Sequence, residues 1–475
     1  MKRKILADIS ASTFQIVVNQ LSGIIVFYIL SKCLAKDVFG ELNWSTALFI
    51  IAFNTLSFGI DQIVVRRIAA GDSASSLLSL HLVHVCVSSL LFYGLLLVCS
   101  VFFERFFNAH YLLLWIGFSQ LLVFISSPFK QVVNGKEQFG RLMVMSCVAG
   151  VTRAMSLLLL AILDTITLKS VIAIFVLSTA VEFLICLALV FLQFDKFSFS
   201  WHWKKYFSLV KESMPQLAVM ILNAGILRFD WIILGLLASQ TILANYSFAY
   251  RAVELSALPL MIVAPLLLPR LTRYFTGISF EYQRAQKLND LLVCLRLSIV
   301  LACITSLVLN LVWVDLIDAI TDNKYGAANK INILILSAAL PFIYLNNFLW
   351  TVYFATNRLK RIAFITLVAF LVNIGGDLLF IPFFQAEGAA VAIVIAFIVQ
   401  SILYSQKANI PGLTKIWQTI LFCGLGAASC GWIANYGPGS SKLSLIVALA
   451  AYPTMLIVGN QVKAIDWLTV KRMIR

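Results

Sequence analysis

Two opposite charges stand two positions apart inside an apolar segment of helical length, "ILNAGILRFDWIILG" (residues 221–235). Arg228 supplies a guanidinium that stays charged and can bind phosphate oxygens through two parallel hydrogen bonds. Asp230 supplies a carboxylate that can exchange a proton or bind Na⁺ when its surroundings are partly dry. Because consecutive helical residues are about 100° apart, the two side chains should point about 200° apart and need separate partners.

The next apolar segment carries a second pair, Arg251 and Glu254, which are three residues apart and therefore share one helix face. The turn between the segments centres near Gln240, about ten residues after Asp230 and about eleven residues before Arg251. These charges should therefore lie at comparable depth. We expect a hydrated layer lined by charges.

Two further groups of charges occur in the first half of the chain. Arg153 and Glu182 lie on consecutive apolar segments, and we expect them to form an ion pair. Asp61 lies in "SFGIDQIVVRR", close to Arg66 and Arg67, where an ion pair at the end of a helix is a simple alternative to a functional role.

In the second half, Arg296 and Asp377 also lie in apolar segments. All of these charges have an alternative interpretation as buried structural pairs that specify how helices align. So many ionisable groups within apolar segments nevertheless favour a substrate or ion pathway. His81 and His84 could share a helix face, but no set of metal ligands accompanies them, and the nine cysteines form no CxxC pair.

The composition identifies the surroundings of these charges. Hydrophobic residues make up 61% of the 475 residues and charged residues 12%, with a mean hydropathy of +0.95. Such a chain is an integral membrane protein. Its net charge of +15 is dispersed over short loops, which argues against nucleic acid and for membrane topology with anionic lipids as partners.

Apolar runs of about 20 residues predict an all-α membrane protein with about fourteen spans, or twelve if the last two are not spans. We expect two pseudo-symmetric six-helix bundles at residues 1–195 and 214–406, joined by an interfacial cytoplasmic linker at 196–213. An extra C-terminal helix pair with a basic tail should occupy residues 407–475. The predicted spans centre near Ile24, Ile51, Leu91, Leu121, Leu157, Val181, Leu227, Leu258, Val300, Leu345, Leu371, Ile395, Phe422 and Ala450.

Lysine and arginine in the loops predict the orientation. With the first residue inside, about 25 of the 36 Lys and Arg residues fall on the inner side. Both termini should therefore be cytoplasmic. The basic start "MKRKILADIS" lacks an obvious cleavage site, and we interpret it as the beginning of a retained first helix.

Four segments resemble one family: "LAKDVFGELNWSTAL", "LSFGIDQIVVRRIA", "ILRFDWIILGLLASQTILANYSFAYRAVELSALPL" and "NIGGDLLFIPFFQAEGAAVA". In their order and spacing the chain resembles bacterial oligosaccharide-lipid flippases of the O-antigen type. These form the polysaccharide-transport branch of the multidrug/oligosaccharidyl-lipid/polysaccharide exporter superfamily. The resemblance implies two six-helix bundles around a central cavity that opens alternately inward and outward.

The resemblance also implies the substrate and part of the site. The substrate would be a polyprenyl-diphosphate-linked oligosaccharide. Arg228 and Asp230 occupy the family's Arg-x-Asp pattern, and Arg251 and Glu254 its Arg-x-x-Glu pattern. The chain departs from the family at "NIGGDLLF", where Asp377 follows two glycines in place of a second Asn. That change creates either a loosened, cation-responsive site or a neutral difference.

The expected activity is movement of this lipid from the inner to the outer leaflet of the bacterial inner membrane, with coupling to H⁺ or Na⁺ left open. No catalytic residue, resident metal or cofactor is predicted. The residues expected to contact the diphosphate or sugars are Arg228, Arg251, Arg153 and Arg296. The residues expected to pair ions or couple transport to an ion are Asp230, Glu254, Glu182, Asp61 and Asp377. Polysaccharide polymerase and chain-length proteins would be partners in O-antigen and lipopolysaccharide synthesis.

Three other functions remain open. A multidrug exporter would share the architecture, but an arginine-lined cavity suits cationic drugs poorly. A flippase for a peptidoglycan precursor differs only in the headgroup. A membrane polymerase, ligase or glycosyltransferase would need positioned acids at a membrane face. The local acidic candidates for such catalysis are Asp37, Glu41, Asp315, Asp318 and Asp322.

Overall fold

The computed structural model describes residues 2–191, 199–260, 281–356, 358–408, 410–436, 441–463 and 466. The described regular structure is helical throughout, and no strand occurs within these ranges. By length and hydropathy, ten of the described helices can cross a membrane, or eleven if one bent helix pair counts as a span. The prediction of an all-α, multi-pass integral membrane protein is therefore confirmed.

The chain divides into two compact units, Met1–Ala244 and Asn245–Arg475. The helices of the first unit are α1 (Lys2–Cys33), α2 (Lys36–Leu56), α3 (Ile60–Ala69), α4 (Ala74–Phe102), α5 (Glu104–Ala109), α6 (Leu112–Gly135), α7 (Phe139–Ile162), α8 (Leu168–Phe191) and α9 (Trp203–Leu237). Helix α10 (Gln240–Ser256) begins in the first unit and continues into the second.

The described part of the second unit continues with six helices and one short 3₁₀ turn, Ala327–Asn329. The helices are α11 (Glu281–Thr321), α12 (Lys330–Ser337), α13 (Leu340–Ala355), α14 (Leu359–Gln406), α15 (Leu413–Tyr436) and α16 (Ser441–Val458). Helix α14 joins two helices across a break at Gln385, where φ is 50° and ψ is −123°.

Nearly all predicted span centres fall within described helices, including those of the C-terminal pair, which correspond to α15 and α16. The span predicted near Leu258 extends into 261–280, outside the described residues. The basic tail predicted at the C-terminus also falls mostly outside them. The count of fourteen spans and the division into 1–195, 196–213, 214–406 and 407–475 stay predictions, and residues 203–213 form the first turns of α9.

A sharp break separates α2 from α3, which are bent by 51° relative to each other. Phe58 and Gly59 both have positive φ there, 50° and 69°. Glycine suits this position for two reasons, since it adopts positive φ without strain and a Cβ atom would lie 2.8 Å from the main-chain nitrogen of Leu217 on α9. The break leaves α3 as a short helix that begins at Ile60, directly before Asp61.

Each unit has its own apolar core. In the first unit, Ile60 and Val64 of α3 pack with buried residues of α4, α6, α8 and α9. In the second unit, α15 and α16 share one core with α11, α13 and α14. Tyr452 of α16 donates its hydroxyl hydrogen to the carbonyl oxygen of Cys423 on α15 at 3.0 Å. The C-terminal helix pair is therefore an integral part of the second unit.

Candidate functional site

Arg228 and Asp230 face different surroundings on α9, as their spacing predicts. The Asp230 side chain is fully buried and accepts a hydrogen bond from the main-chain nitrogen of Trp231 at 2.9 Å. The Arg228 guanidinium is partly exposed, lies 4.5 Å from the centre of the Trp231 ring, and donates to the carbonyl oxygen of Leu227 at 2.8 Å. Stacking on an indole orients a guanidinium while leaving its edge able to bind an anion.

The C-terminal end of α9 packs tightly on α2. Trp44 donates its indole Nε1–H to the carbonyl oxygen of Ile232 at 3.2 Å. Gly235 lies against the same ring, so a Cβ atom there would be 1.9 Å from Trp44 Cδ1. Gly40 likewise approaches Gln240, whose carbonyl oxygen would be 1.9 Å from a Cβ atom on Gly40. Sequence analysis missed this contact because small residues carry no chemical signal by themselves.

The N-terminal half of α9 is bound to α3 by charges. Arg66 and Arg67 both form ion pairs with Glu212, and the Nε atom of Arg67 donates to Glu212 Oε2 at 2.8 Å. Both arginines thus pair with Glu212, and the alternative of an end-of-helix ion pair with Asp61 is not what the structure shows. Asp61 lies in the first turn of α3, whereas the arginines lie in its last turn and reach the neighbouring helix.

Asp61 contacts two other helices. Its Oδ1 atom accepts a hydrogen bond from the Ser127 hydroxyl of α6 at 2.5 Å. The same oxygen lies 3.4 Å from Nε2 of His81 on α4, a side chain that is fully buried. Neither ring nitrogen of His81 forms a hydrogen bond.

Glu182 pairs with a different cation from the one expected. Lys130 of α6 forms an ion pair with the nearly buried Glu182 of α8. Arg153 of α7 instead donates from Nε to the Ser178 hydroxyl at 3.2 Å and stacks 4.0 Å from the Phe175 ring centre. The predicted Arg153–Glu182 pair is therefore replaced. Lys130 belongs to α6, which continues to Gly135.

In the second unit, Arg251 and Glu254 form the contact expected for residues three apart. Arg251 Nη1 donates to Glu254 Oε2 at 2.9 Å, and both side chains are about one quarter exposed. The Nε atom of Arg251 is buried without a hydrogen-bond partner. The guanidinium thus keeps donor capacity for a further acceptor.

Arg296 and Asp377 are both engaged by neighbouring side chains. Arg296 Nη2 donates to both carboxylate oxygens of Asp466 at 2.7 Å, so a residue beyond α16 already binds this guanidinium. Asp377 is fully buried and accepts from the Asn373 amide at 3.2 Å. The Oδ1 atom of Asn373 is buried without a hydrogen-bond partner. Sequence analysis identified neither Asp466 nor Asn373 as a partner.

Two of the acidic residues considered for catalysis, Glu41 and Asp318, hold local structure. Glu41 accepts from Nδ1 of His110 at 2.9 Å, and the His110 ring stacks on Trp44. Asp318 accepts from the main-chain nitrogens of Gly326 and Ala327 at 2.6 and 3.0 Å. In the described part of the chain, no three His, Cys, Asp or Glu side chains form a metal-ligating group.

Tyr111, just before α6, lies close to the carboxylates of Asp37 and Glu41. Burial, followed by the nearby negative charges of Asp37 and Glu41, raises the pKa of the Tyr111 phenol. The phenol therefore stays neutral over the physiological pH range and can donate a hydrogen bond there.

A cavity of about 600 Å³ lies within the second unit between α11, α12, α13 and α15. Its lining is mostly apolar, with Ser306, Asn310 and Lys330 as polar members. None of the predicted site residues lines it. This cavity is therefore distinct from the charged groups described above.

The family follows from comparison with known proteins. The model of the polysaccharide biosynthesis protein family matches residues 5–275, more than half of the chain. The chain belongs to this family. No curated protein matches the chain at a significant level.

Solved structures share the fold at low sequence identity. The lipid II flippase MurJ in an inward closed conformation matches with a TM-score of 0.70 and 14% identity, over 95% of this chain and 98% of that one. An inward-facing multidrug resistance transporter of the MATE family in the MOP superfamily matches with a TM-score of 0.66 and 12% identity, over 84% and 95%. A MOP superfamily transporter from Pyrococcus furiosus, described as having a binding pocket of reverse polarity, matches with a TM-score of 0.53 and 12% identity, over 88% and 96%. The chain thus has the fold of these membrane transporters.

Proposed function

We propose that this protein moves a polyprenyl-diphosphate-linked oligosaccharide from the inner to the outer leaflet by alternating access. The observation that carries the proposal is the position of Arg228. It lies nine residues before the end of α9, which is about 14 Å along the helix. A bilayer core is about 30 Å thick, so a helix that ends at the membrane surface carries Arg228 near the middle of the bilayer. A charge at this depth costs roughly 2.5 to 3.5 kcal/mol on insertion, which favours an anionic partner over chance.

Diphosphate suits the chemistry of this arginine. The guanidinium stays ionised, matches phosphate oxygens with two parallel donors, and is held over the Trp231 ring with part of its surface exposed. The description of the family as polysaccharide biosynthesis proteins supports a sugar-bearing substrate. The match to a structure described as a lipid II flippase supports a lipid-linked one.

The contacts of α9 within the first unit suggest how access alternates. Its N-terminal half is held to α3 by the Glu212 ion pairs, and its C-terminal end is held to α2 by Trp44. Helix α9 also carries Arg228. In our proposal these two attachments loosen in turn as the headgroup passes, while the prenyl tail stays in the lipid.

The remaining candidates complete the proposal. Arg153, Arg251 and Arg296 would assist with phosphate and sugar, although Arg296 must first leave Asp466. Ion coupling would use one or more carboxylates among Asp230, Glu254, Glu182, Asp61 and Asp377. We place the protein in the bacterial inner membrane with both termini in the cytoplasm, beside polysaccharide polymerase and chain-length proteins of O-antigen and lipopolysaccharide synthesis.

Two alternative functions fit the described residues less well. Export of cationic drugs is compatible with the shared fold, but Arg228 would repel a cation at membrane depth. A polymerase or glycosyltransferase would need free acidic groups. Glu41 is bound by His110, and Asp318 is bound by two main-chain nitrogens, so both already have structural roles.

The proposal is tested with purified protein in liposomes that contain a labelled polyprenyl-diphosphate oligosaccharide. Wild type should move the headgroup across the bilayer, and Arg228→Ala should not, at equal amounts of correctly inserted protein. Lys211→Ala is the matched control, because it removes one positive charge from an exposed position on the same helix. Failure of wild type to move several different headgroups would overturn the proposal.

A further inference from the structure

His81 is a buried ionisable group that the proposed transport cycle has not yet used. Its side chain is fully buried on α4, and neither ring nitrogen has a hydrogen-bond partner. Buried polar groups without partners are unfavourable and uncommon, so each such group calls for an explanation. The nearest charge is Asp61 Oδ1, 3.4 Å from His81 Nε2.

We propose that Asp61 and His81 form a proton-binding site that couples proton movement to transport. The proposal rests on the proposed function, and it names the ion and the place where that ion binds. In the empty state His81 is neutral and Asp61 carries a negative charge, which is satisfied by the Ser127 hydroxyl at 2.5 Å. A proton arriving from water binds His81 Nε2, and the site becomes an ion pair with no net charge.

Geometry favours a proton over a metal cation. The distance of 3.4 Å lies just beyond an ordinary N–H···O hydrogen bond, so a small movement would let a protonated Nε2 donate to Asp61. An imidazole nitrogen beside the carboxylate would also occupy the position where Na⁺ needs oxygen ligands. Since the surroundings are a membrane-embedded bundle, removal of the net charge stabilises the loaded state.

The neighbouring ionisable groups are already engaged, which leaves the Asp61–His81 pair to respond to protons. On α4, His84 contacts the Tyr206 hydroxyl with Nδ1 at 2.9 Å and the carbonyl oxygen of Leu56 with Nε2 at 2.8 Å. On α6, Lys130 pairs with Glu182.

On the remaining packed elements, the charges named next are either paired or exposed to solvent. Arg66 and Arg67 of α3 pair with Glu212 of α9. Lys211 of α9 is exposed. The electrostatic change on proton binding therefore falls mainly on the contact between Asp61 and His81.

Helix α3 connects this site to α9. Asp61 is in the first turn of α3, and Arg66 and Arg67 are in its last turn, where they bind Glu212. The break at Phe58 and Gly59 separates α3 from α2, so α3 can rotate as a short unit. A rotation that closes the Asp61–His81 distance also moves the arginines, about 9 Å further along α3, and with them the helix that carries Arg228.

The first test measures proton binding without any substrate. The protein contains four histidines, His81, His84, His110 and His202, so the ¹⁵N spectrum of its imidazoles is simple enough to assign with single His→Gln variants. In lipid nanodiscs, the wild-type His81 signals should change from neutral imidazole to imidazolium as the pH is lowered from about 9 to about 3.5. A His81 ring that stays neutral across that range would overturn the inference, whatever the protein transports.

The second test measures coupling in liposomes with the labelled lipid-linked oligosaccharide. A proton gradient should speed wild-type translocation, and His81→Gln should reduce that stimulation by about tenfold or more. His202→Gln is the matched control, because His202 is an exposed residue at the start of α9. Stimulation by a sodium gradient and not by a proton gradient would overturn the inference while leaving the proposed function intact. If wild type shows no translocation at all, the result would count against the proposed function instead.

Should His81→Gln insert poorly, Asp61→Asn provides a second variant with nearly the same shape. In this variant the carboxylate that attracts the proton is absent, while an oxygen remains for Ser127. We expect loss of the gradient stimulation here too. Full stimulation in Asp61→Asn would contradict the inference.

Discussion

The indole ring of Trp44 leaves no room for a side chain at Gly235. A Cβ atom at that glycine would lie 1.9 Å from Trp44 Cδ1, and the same ring is bound to the carbonyl oxygen of Ile232. The same ring also stacks on His110, with 4.4 Å between ring centres. Helices α2 and α9 therefore meet at this end through an aromatic ring packed directly on a backbone.

Gly235→Ala should force α2 and α9 apart at this contact. Overpacking of this kind costs about 1–3 kcal/mol of stability, and thermal unfolding in detergent should show the loss. Translocation should fall as well, because α9 loses its attachment at that end. Gly94→Ala is the control, since nothing lies within 4 Å of a Cβ atom there and alanine favours a helix. Equal stability of the two variants would show that Trp44 can move aside for a side chain at position 235, against this prediction.

The two arginines that bind Glu212 should contribute unequally to stability. The Arg66 side chain is 64% exposed and that of Arg67 is 23% exposed, so water weakens the Arg66 pair more. Arg66→Gln should cost at most about 1 kcal/mol, and Arg67→Gln should cost more. Glu212→Gln should be the most harmful, because it leaves two positive charges side by side. Unfolding midpoints in detergent give the order, and a larger effect for Arg66→Gln would contradict it.

Lys130 and Glu182 should behave as a buried pair. Lys130→Met or Glu182→Leu alone leaves one charge without its partner and should cost about 3–5 kcal/mol. The double variant replaces both charges with apolar groups and should recover much of that loss. Levels of inserted, folded protein measure the effect in a membrane. A double variant as unstable as the sum of the two single ones would mean that the residues act independently.

These partners also show which parts of the structure the sequence reveals. The Arg251–Glu254 contact follows from a spacing of three residues on one helix, and the opposite directions of Arg228 and Asp230 follow from a spacing of two. Long apolar runs likewise predict most helices, because a segment in lipid must satisfy its backbone hydrogen bonds internally, as a helix does. Lys130–Glu182 and the Glu212 pairs join residues far apart in the chain. Only the packing of helices brings them together, and neither pattern nor hydropathy records that packing.

Arg296 provides a test between binding and structure. Its two hydrogen bonds to Asp466 hold the segment after α16 to α11. If this is its main role, Arg296→Gln and Asp466→Asn should lower stability alike, and a double-mutant cycle should show a coupling of about 1–3 kcal/mol. Translocation per folded molecule should then change little. Arg358→Gln is the control. Arg358 donates to the carbonyl oxygen of Lys407 at 3.1 Å, and its variant should show no coupling to Asp466→Asn.

Arg228→Lys separates the two roles that an arginine at membrane depth can have. The variant keeps the positive charge and loses the planar pair of donors that matches a phosphate. If Arg228 binds the diphosphate, translocation should fall by about tenfold or more, equivalent to about 1.4 kcal/mol of lost binding, with inserted protein unchanged. Arg141→Lys is the control, because it makes the same substitution at an exposed position near the start of α7. Parallel losses of folded protein and translocation in Arg228→Lys would indicate that stacking on Trp231 is needed for the structure, and Arg228 would no longer support a diphosphate substrate.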